Sequence, residues 1–151
     1  MQSEIWKPNV TVAAVIERDG RFLLVEEETD DGLRFNQPAG HLDEGESLLA
    51  AVSREALEET AHTFEPHCLI GIYQWTRPDR AVTYLRFAFS GEITGFDADR
   101  VLDQGILRAV WLTREEVIET RLRHRSPLVL QCVEDYLAGR CYPLDVIRHH
   151  G

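Results

Sequence analysis

The run Gly40-His41-Leu42-Asp43-Glu44-Gly45-Glu46, followed by Arg54-Glu55-Ala56-Leu57-Glu58-Glu59, places a glycine-bounded loop ahead of a densely acidic segment. On a helical wheel of about 100° per residue with Arg54 at the origin, Glu58 falls near 40°, Glu55 near 100° and Glu59 near 140°. Leu49, Ala50, Val52, Ala56, Leu57 and Ala61 cover the arc from roughly 160° to 340°. The segment is therefore expected to form a helix, capped by Ser47 and running to about Thr60, with one face on a sheet and the other holding acid. Like charges on adjacent turns repel by some tenths of a kcal/mol per pair. A hard divalent cation offsets that repulsion, and Mg²⁺ in particular binds one or two carboxylates while recruiting phosphate oxygens. Phosphate chemistry is the first expectation.

Composition narrows the class. With 151 residues and 44% hydrophobic content the chain is expected to be one domain, residues 1–151, with a substantial core. A net charge of −10 argues against binding to nucleic acid, where Lys and Arg meet phosphates, and points to a small phosphorylated partner. No stretch has the pattern of a secretory leader or the length of a membrane span, so a cytoplasmic location without membrane attachment is expected. Cys68, Cys132 and Cys141 are odd in number and lack zinc-site spacing, and isolated buried or half-buried thiols are expected.

Along the chain, Asn9–Glu17 and Arg21–Glu28 read as a hairpin or adjacent strands around the Asp19-Gly20 turn, and a loop near Thr29–Gly32 leads to Asn36–Gly40. Cys68–Trp75 and Val82–Phe89 read as two further strands about an Arg77–Arg80 turn. Gly91–Gly105 is polar and glycine-punctuated, Ala109–Leu112 is a short strand, and Thr113–Glu116 is a capping box opening a helix to about Thr120. Ser126-Pro127 opens a last helix with Gly139 past its end. This pattern predicts an α/β fold, a mixed sheet with helices on its faces.

The residues Gly40, Glu46, Arg54, Glu55, Glu58 and Glu59 also fill, place by place, the signature of the Nudix hydrolases: Gly, five residues, Glu, seven residues, Arg-Glu, two residues, Glu-Glu. The family's later glycine and aliphatic places hold Ala61 and His62, so the helix C-terminus is where departure is expected. The resemblance implies an α/β/α sandwich and a Mg²⁺ site, Mn²⁺ being a possible substitute. Lys7–Ala13, Asn36–Leu42, Gln74-Trp75, Leu85–Phe87, Arg125–Val129 and Tyr142–Leu144 extend it to one bacterial phosphatase subgroup. That subgroup releases inorganic phosphate from nucleoside tri- and diphosphates and from hydroxymethylpyrimidine diphosphate. The alternatives are a pyrophosphohydrolase acting on substrates such as ADP-ribose or a nucleoside triphosphate, and a non-catalytic nucleotide-binding module.

Within that resemblance Glu58 and Glu59 are implied metal ligands, Glu55 a third ligand or the base that orients water, and the carbonyl of Ala39 or Gly40 a further donor. Glu46 and Arg54 are implied to be structural, tying loop to helix. Phe35, Tyr73 and Trp75 are candidates to stack on a planar base, each against a core-packing alternative. Lys7 and Arg86 are candidates for the distal phosphates, with an ion pair across the sheet as the alternative for Arg86. Asp97, Asp99 and Asp103 are candidates for one extra acid, and His41 for a phosphate contact or, equally, a surface hydrogen bond. A monomer or a homodimer would serve.

Overall fold

The computed structural model describes residues 4–151. The strands are β1 (Asn9–Val15), β2 (Glu17–Arg18), β3 (Arg21–Thr29), β4 (Gly32–Asn36), β5 (Ala39–His41), β6 (His62–Thr76), β7 (Thr83–Phe96) and β8 (Ile106–Thr113). The helices are α1 (Leu48–Thr60), α2 (Arg114–Glu119) and α3 (Leu128–Leu137). Two sheets form, where the sequence suggested one. In the first, β5-β1-β7-β6, β1 runs parallel to β7 and the other pairs are antiparallel. In the second, β3 pairs antiparallel with β2, β4 and β8. The expected N-terminal hairpin thus survives only as Glu17–Arg18 against Arg21–Phe22, because β1 is taken up by β7 and β5.

Alternation along β1 explains the layers. Val12 and Ala14 point to one side, where Ala51, Val52 and Ala56 of α1 meet Leu23, Phe64, Leu69 and Phe89. Ala13 and Val15 point to the other, where Val129, Cys132 and Val133 of α3 meet Phe22, Leu24, Phe35 and Ile70. A strand apolar on both faces needs cover on both, and the helices supply it. The α/β/α sandwich is the result.

Several boundaries differ from expectation. β6 begins at His62, and β7 runs on through Gly91–Phe96, which the sequence suggested was loop, in register with His62–Pro66. At Gly91 a Cβ would lie 1.9 Å from the Glu65 carbonyl oxygen, so this glycine marks close backbone approach at a bulge and not a turn. Gly32–Asn36 likewise is strand β4.

The cysteine expectation is overturned for two of the three. Cys68 and Cys141 form a disulfide, whereas Cys132 is a free, buried thiol. Chain topology explains the pairing: Tyr142 bridges Leu69 through backbone bonds of 2.9 and 2.8 Å, which lays the C-terminal segment along the edge strand β6. The two cysteines adjoin that bridge. Leu144 and Ile147 then pack on the α1 side of the core.

Candidate active site

Helix α1 carries the acids. Ser47, extended at φ −76° and ψ 156°, accepts from the Ala50 N–H and opens the helix. The C-terminus closes through Ala61, which takes the left-handed conformation at φ 60° although it is not glycine, its N–H donating to the Leu57 carbonyl. The buried residues are Ala51, Val52, Glu55, Ala56, Glu59 and Thr60. The buried arc is therefore turned from the predicted one by roughly a quarter of the wheel, counting about 100° per residue. Glu55 and Glu59 lie on that buried arc and not on a separate acidic face. The reason is β5 and the loop before it, which lie over this flank of the helix.

Arg54 is the hub that ties loop to helix. Its Nε and Nη2 make a two-pronged contact with Glu46 at 2.7 and 2.9 Å, Nη1 reaches Glu55 at 2.7 Å and Glu58 at 3.2 Å, and Nη2 donates to the His41 carbonyl at 3.0 Å. Glu46 also accepts from the Asp43 N–H, and the Arg54 contact holds its carboxyl below the usual carboxylate range. Through these contacts Arg54 joins the Glu46 and His41 loop to α1.

The Glu55 and Glu59 carboxylates are electrostatically unsettled. Burial raises the Glu55 carboxyl despite its Arg54 contact. Burial pushes Glu59 up to about 9, although its carboxylate accepts from the Ala39 N–H at 2.9 Å, and neighbouring acids including Glu55 and Glu27 add to the rise. Gly40 faces the same group of acids: a Cβ there would lie 2.2 Å from the Glu55 carboxyl carbon.

Of the three aspartates in the 97–103 loop, the structure brings Asp103 to the site. Its N–H donates at 3.0 Å to the Glu58 carbonyl, one of the orphan carbonyls at the helix end. One oxygen from each of Glu55, Glu58 and Asp103 then lies within 4.8 Å of the others. Asp97 instead donates its N–H to the Ala61 carbonyl and accepts from the Asp99 N–H. An oxygen-only donor set with an uncompensated buried carboxylate beside it suits a hard divalent cation.

The outer candidates separate. Trp75 is half-buried and stacked on Tyr84 at 6.0 Å and 15°. Lys7 is exposed just before β1. Tyr73 donates to Asp135 at 2.7 Å and packs beside α3. Phe35 is only 4% exposed, with the Arg123 guanidinium 4.7 Å over its ring, which places it in the core and leaves no free face for stacking. Arg86 is also buried and meets amides, not an acid. His41 is exposed, with Nε2 3.4 Å from Asn9. Glu27, which sequence reasoning missed, accepts from Arg125 at 3.4 Å, and burial raises its carboxyl.

A family profile for the NUDIX domain matches residues 6–131. The chain belongs to the Nudix family. This Nudix chain is 38% identical over 143 residues to the phosphatase NudJ of Escherichia coli K12, covering 95% of this chain and 92% of that protein. Among solved structures it is similar to a Nudix hydrolase from Nitrosomonas europaea, at 55% identity and a TM-score of 0.93, with 95% of this chain and 98% of that one covered. The fold alone is shared with the Nudix domain of Shewanella oneidensis NrtR, solved with ADP-ribose, at 18% identity and a TM-score of 0.70 over 88% of this chain and 90% of that one. The protein is a hydrolase of phosphoanhydride bonds. Among the described residues no helix is long and apolar enough to cross a membrane.

Proposed function

We propose that this Nudix hydrolase, acting as one domain over the whole chain, is a Mg²⁺-dependent phosphatase, with Mn²⁺ able to substitute. Its substrates in this reading are nucleoside tri- and diphosphates and hydroxymethylpyrimidine diphosphate, and its product is inorganic phosphate. The observation that carries the reading is the convergence of Glu55, Glu58 and Asp103 beside the buried Glu59, in a chain similar over 95% of its length to a phosphatase.

Glu58, Glu59 and Asp103 would hold the cation with the Gly40 carbonyl, and Glu55 is either the next ligand or the acceptor of the attacking water's proton. A bound divalent ion neutralises phosphate oxygens and acidifies that water. Arg54 keeps Glu55 and Glu58 aimed while Glu46 fixes the loop. Lys7 and the Trp75 ring supply charge and a planar surface on the substrate side, where a small phosphorylated molecule is the partner. This reading needs neither nucleic acid nor membrane, is compatible with a monomer or a homodimer, and places the enzyme in the cytoplasm.

Phosphate release is the test, run with Mg²⁺ on nucleoside di- and triphosphates, hydroxymethylpyrimidine diphosphate and ADP-ribose, with and without added pyrophosphatase. Release without the helper enzyme is expected. Release only with it would mean internal cleavage and a pyrophosphohydrolase, and binding without turnover would mean a nucleotide-binding module.

A further inference from the structure

We propose that Arg86 is a positioning residue: it clips the bend between the two sheets so that the backbone of Ala39 and Gly40 is presented to the acids of α1. The assignment rests on the metal-dependent reading above. Arg86 lies on β7 in the row Tyr73, Arg86, Thr11, His41 across the first sheet, and it is 5% exposed. Its Nη1 donates to Gln37 Oε1 at 2.8 Å and its Nη2 to Asn36 Oδ1 at 2.9 Å. Among the described residues it forms no ion pair with a carboxylate. A guanidinium taken out of water without an acid is costly, so a purely space-filling role is better served by an aliphatic side chain.

What the guanidinium supplies is its fork. Successive side chains of an extended strand point to opposite faces, yet those of Asn36 and Gln37 converge on one arginine. They do so where the chain leaves β4 in the second sheet and enters β5 in the first. Every residue of this crossing is then fixed. Gln37 also donates to the Val129 carbonyl at 2.7 Å, Pro38 accepts from the Ala14 N–H at 2.9 Å, Ala39 donates to Glu59, and Gly40 abuts Glu55. The Glu27 carboxyl provides a distant countercharge, felt by Arg86 through space. The phosphate-binding role suggested by the sequence is the weaker assignment, because two of the fork's nitrogens are committed to amides inside the protein.

Arg86→Met, Asn36→Leu and Gln37→Met test the clip. Mn²⁺ binding, followed by the electron paramagnetic resonance of the free ion, is expected to weaken 10- to 100-fold in Arg86→Met, the scale of lost support to a metal ligand. Turnover of a nucleoside diphosphate is expected to fall on the order of 10²-fold in kcat, with KM moving less than about threefold. Asn36→Leu added to Arg86→Met should cost little more, since both cut one contact. Arg86→Lys, a single point donor, should not restore both arms. A KM raised tenfold or more with Mn²⁺ affinity unchanged would make Arg86 a phosphate ligand and overturn the proposal. Wild-type behaviour in all variants would overturn it equally. If circular dichroism shows Arg86→Met unfolded, the two amide variants decide on the same criteria. A wild-type protein that binds Mn²⁺ but turns nothing over would sink the phosphatase reading, and the Mn²⁺ measurement would still decide the clip.

Discussion

Gly40 and Glu59 show how much of the site is decided by single atoms. Gly40 is not held at a positive φ, so its need for glycine is one of space. Gly40→Ala should displace the Glu55 carboxylate, lower Mn²⁺ affinity about 10- to 100-fold and reduce kcat by a similar factor, the range seen when support to a metal ligand is lost. Unchanged Mn²⁺ titration would show that the loop yields instead. Glu59 carries a pH signature. Its carboxyl titrates at about 9 in the metal-free fold against 4.5 as the unperturbed value, so between these limits the folded chain holds the extra proton. The stability tied to that proton is full below about 4.5, declines as pH rises and is gone above about 9. Thermal unfolding in chelator is therefore expected to show a Tm that falls more steeply from pH 5 to 9 in the wild type than in Glu59→Gln. Parallel curves would mean that Glu59 ionises normally.

At the level of the element, α1 ends on an alanine in a conformation that suits glycine. Left-handed backbone costs an L-residue roughly 1–2 kcal/mol, so Ala61→Gly should stabilise the fold by about 1 kcal/mol after glycine's added chain entropy. For a domain of this size that is a Tm rise of roughly 2–4 °C in calorimetry, and a fall would mean that Ala61 contributes packing that outweighs the strain. The cap at Ser47, the capping box at Thr113 and the α1 segment itself were legible because each depends on neighbours within four residues. The facing of α1 was not, since the flank carrying Glu55 and Glu59 is covered by a loop the wheel does not see. Gly91 misled because the same residue serves turns and close approaches, and only the partner strand tells them apart. Asp97, Asp99 and Asp103 are chemically equal in the sequence. A tertiary bond to the Glu58 carbonyl selects the last of them.

Across the whole molecule the least legible feature was the bond between Cys68 and Cys141, which lie 73 residues apart with nothing local to pair them. A cross-link closing a loop of that length stabilises by about 2–4 kcal/mol. Cys68→Ser, Cys141→Ser and the reduced wild type are expected to unfold at a common Tm, several degrees below the oxidised protein. Equal Tm values with and without reductant would show that Tyr142, Leu144 and Ile147 hold the segment unaided. Either way the acids of α1 should stay in place, since Glu55, Glu58 and Glu59 lie ahead of the closed loop and α1 packs on the core through Ala51, Val52 and Ala56.

Pulled from its two ends, the oxidised chain could not unravel fully. The bond shunts force past the closed loop, and α1 lies outside that loop on the loaded side. Helix α1 with Glu55, Glu58 and Glu59 would then be drawn out while much of the core from β6 to α3 stayed shielded. Reduction would release roughly 250 Å of further extension, at about 3.5 Å for each of the 73 residues so hidden. A single-molecule stretching trace with and without reductant would read this directly as a step in contour length.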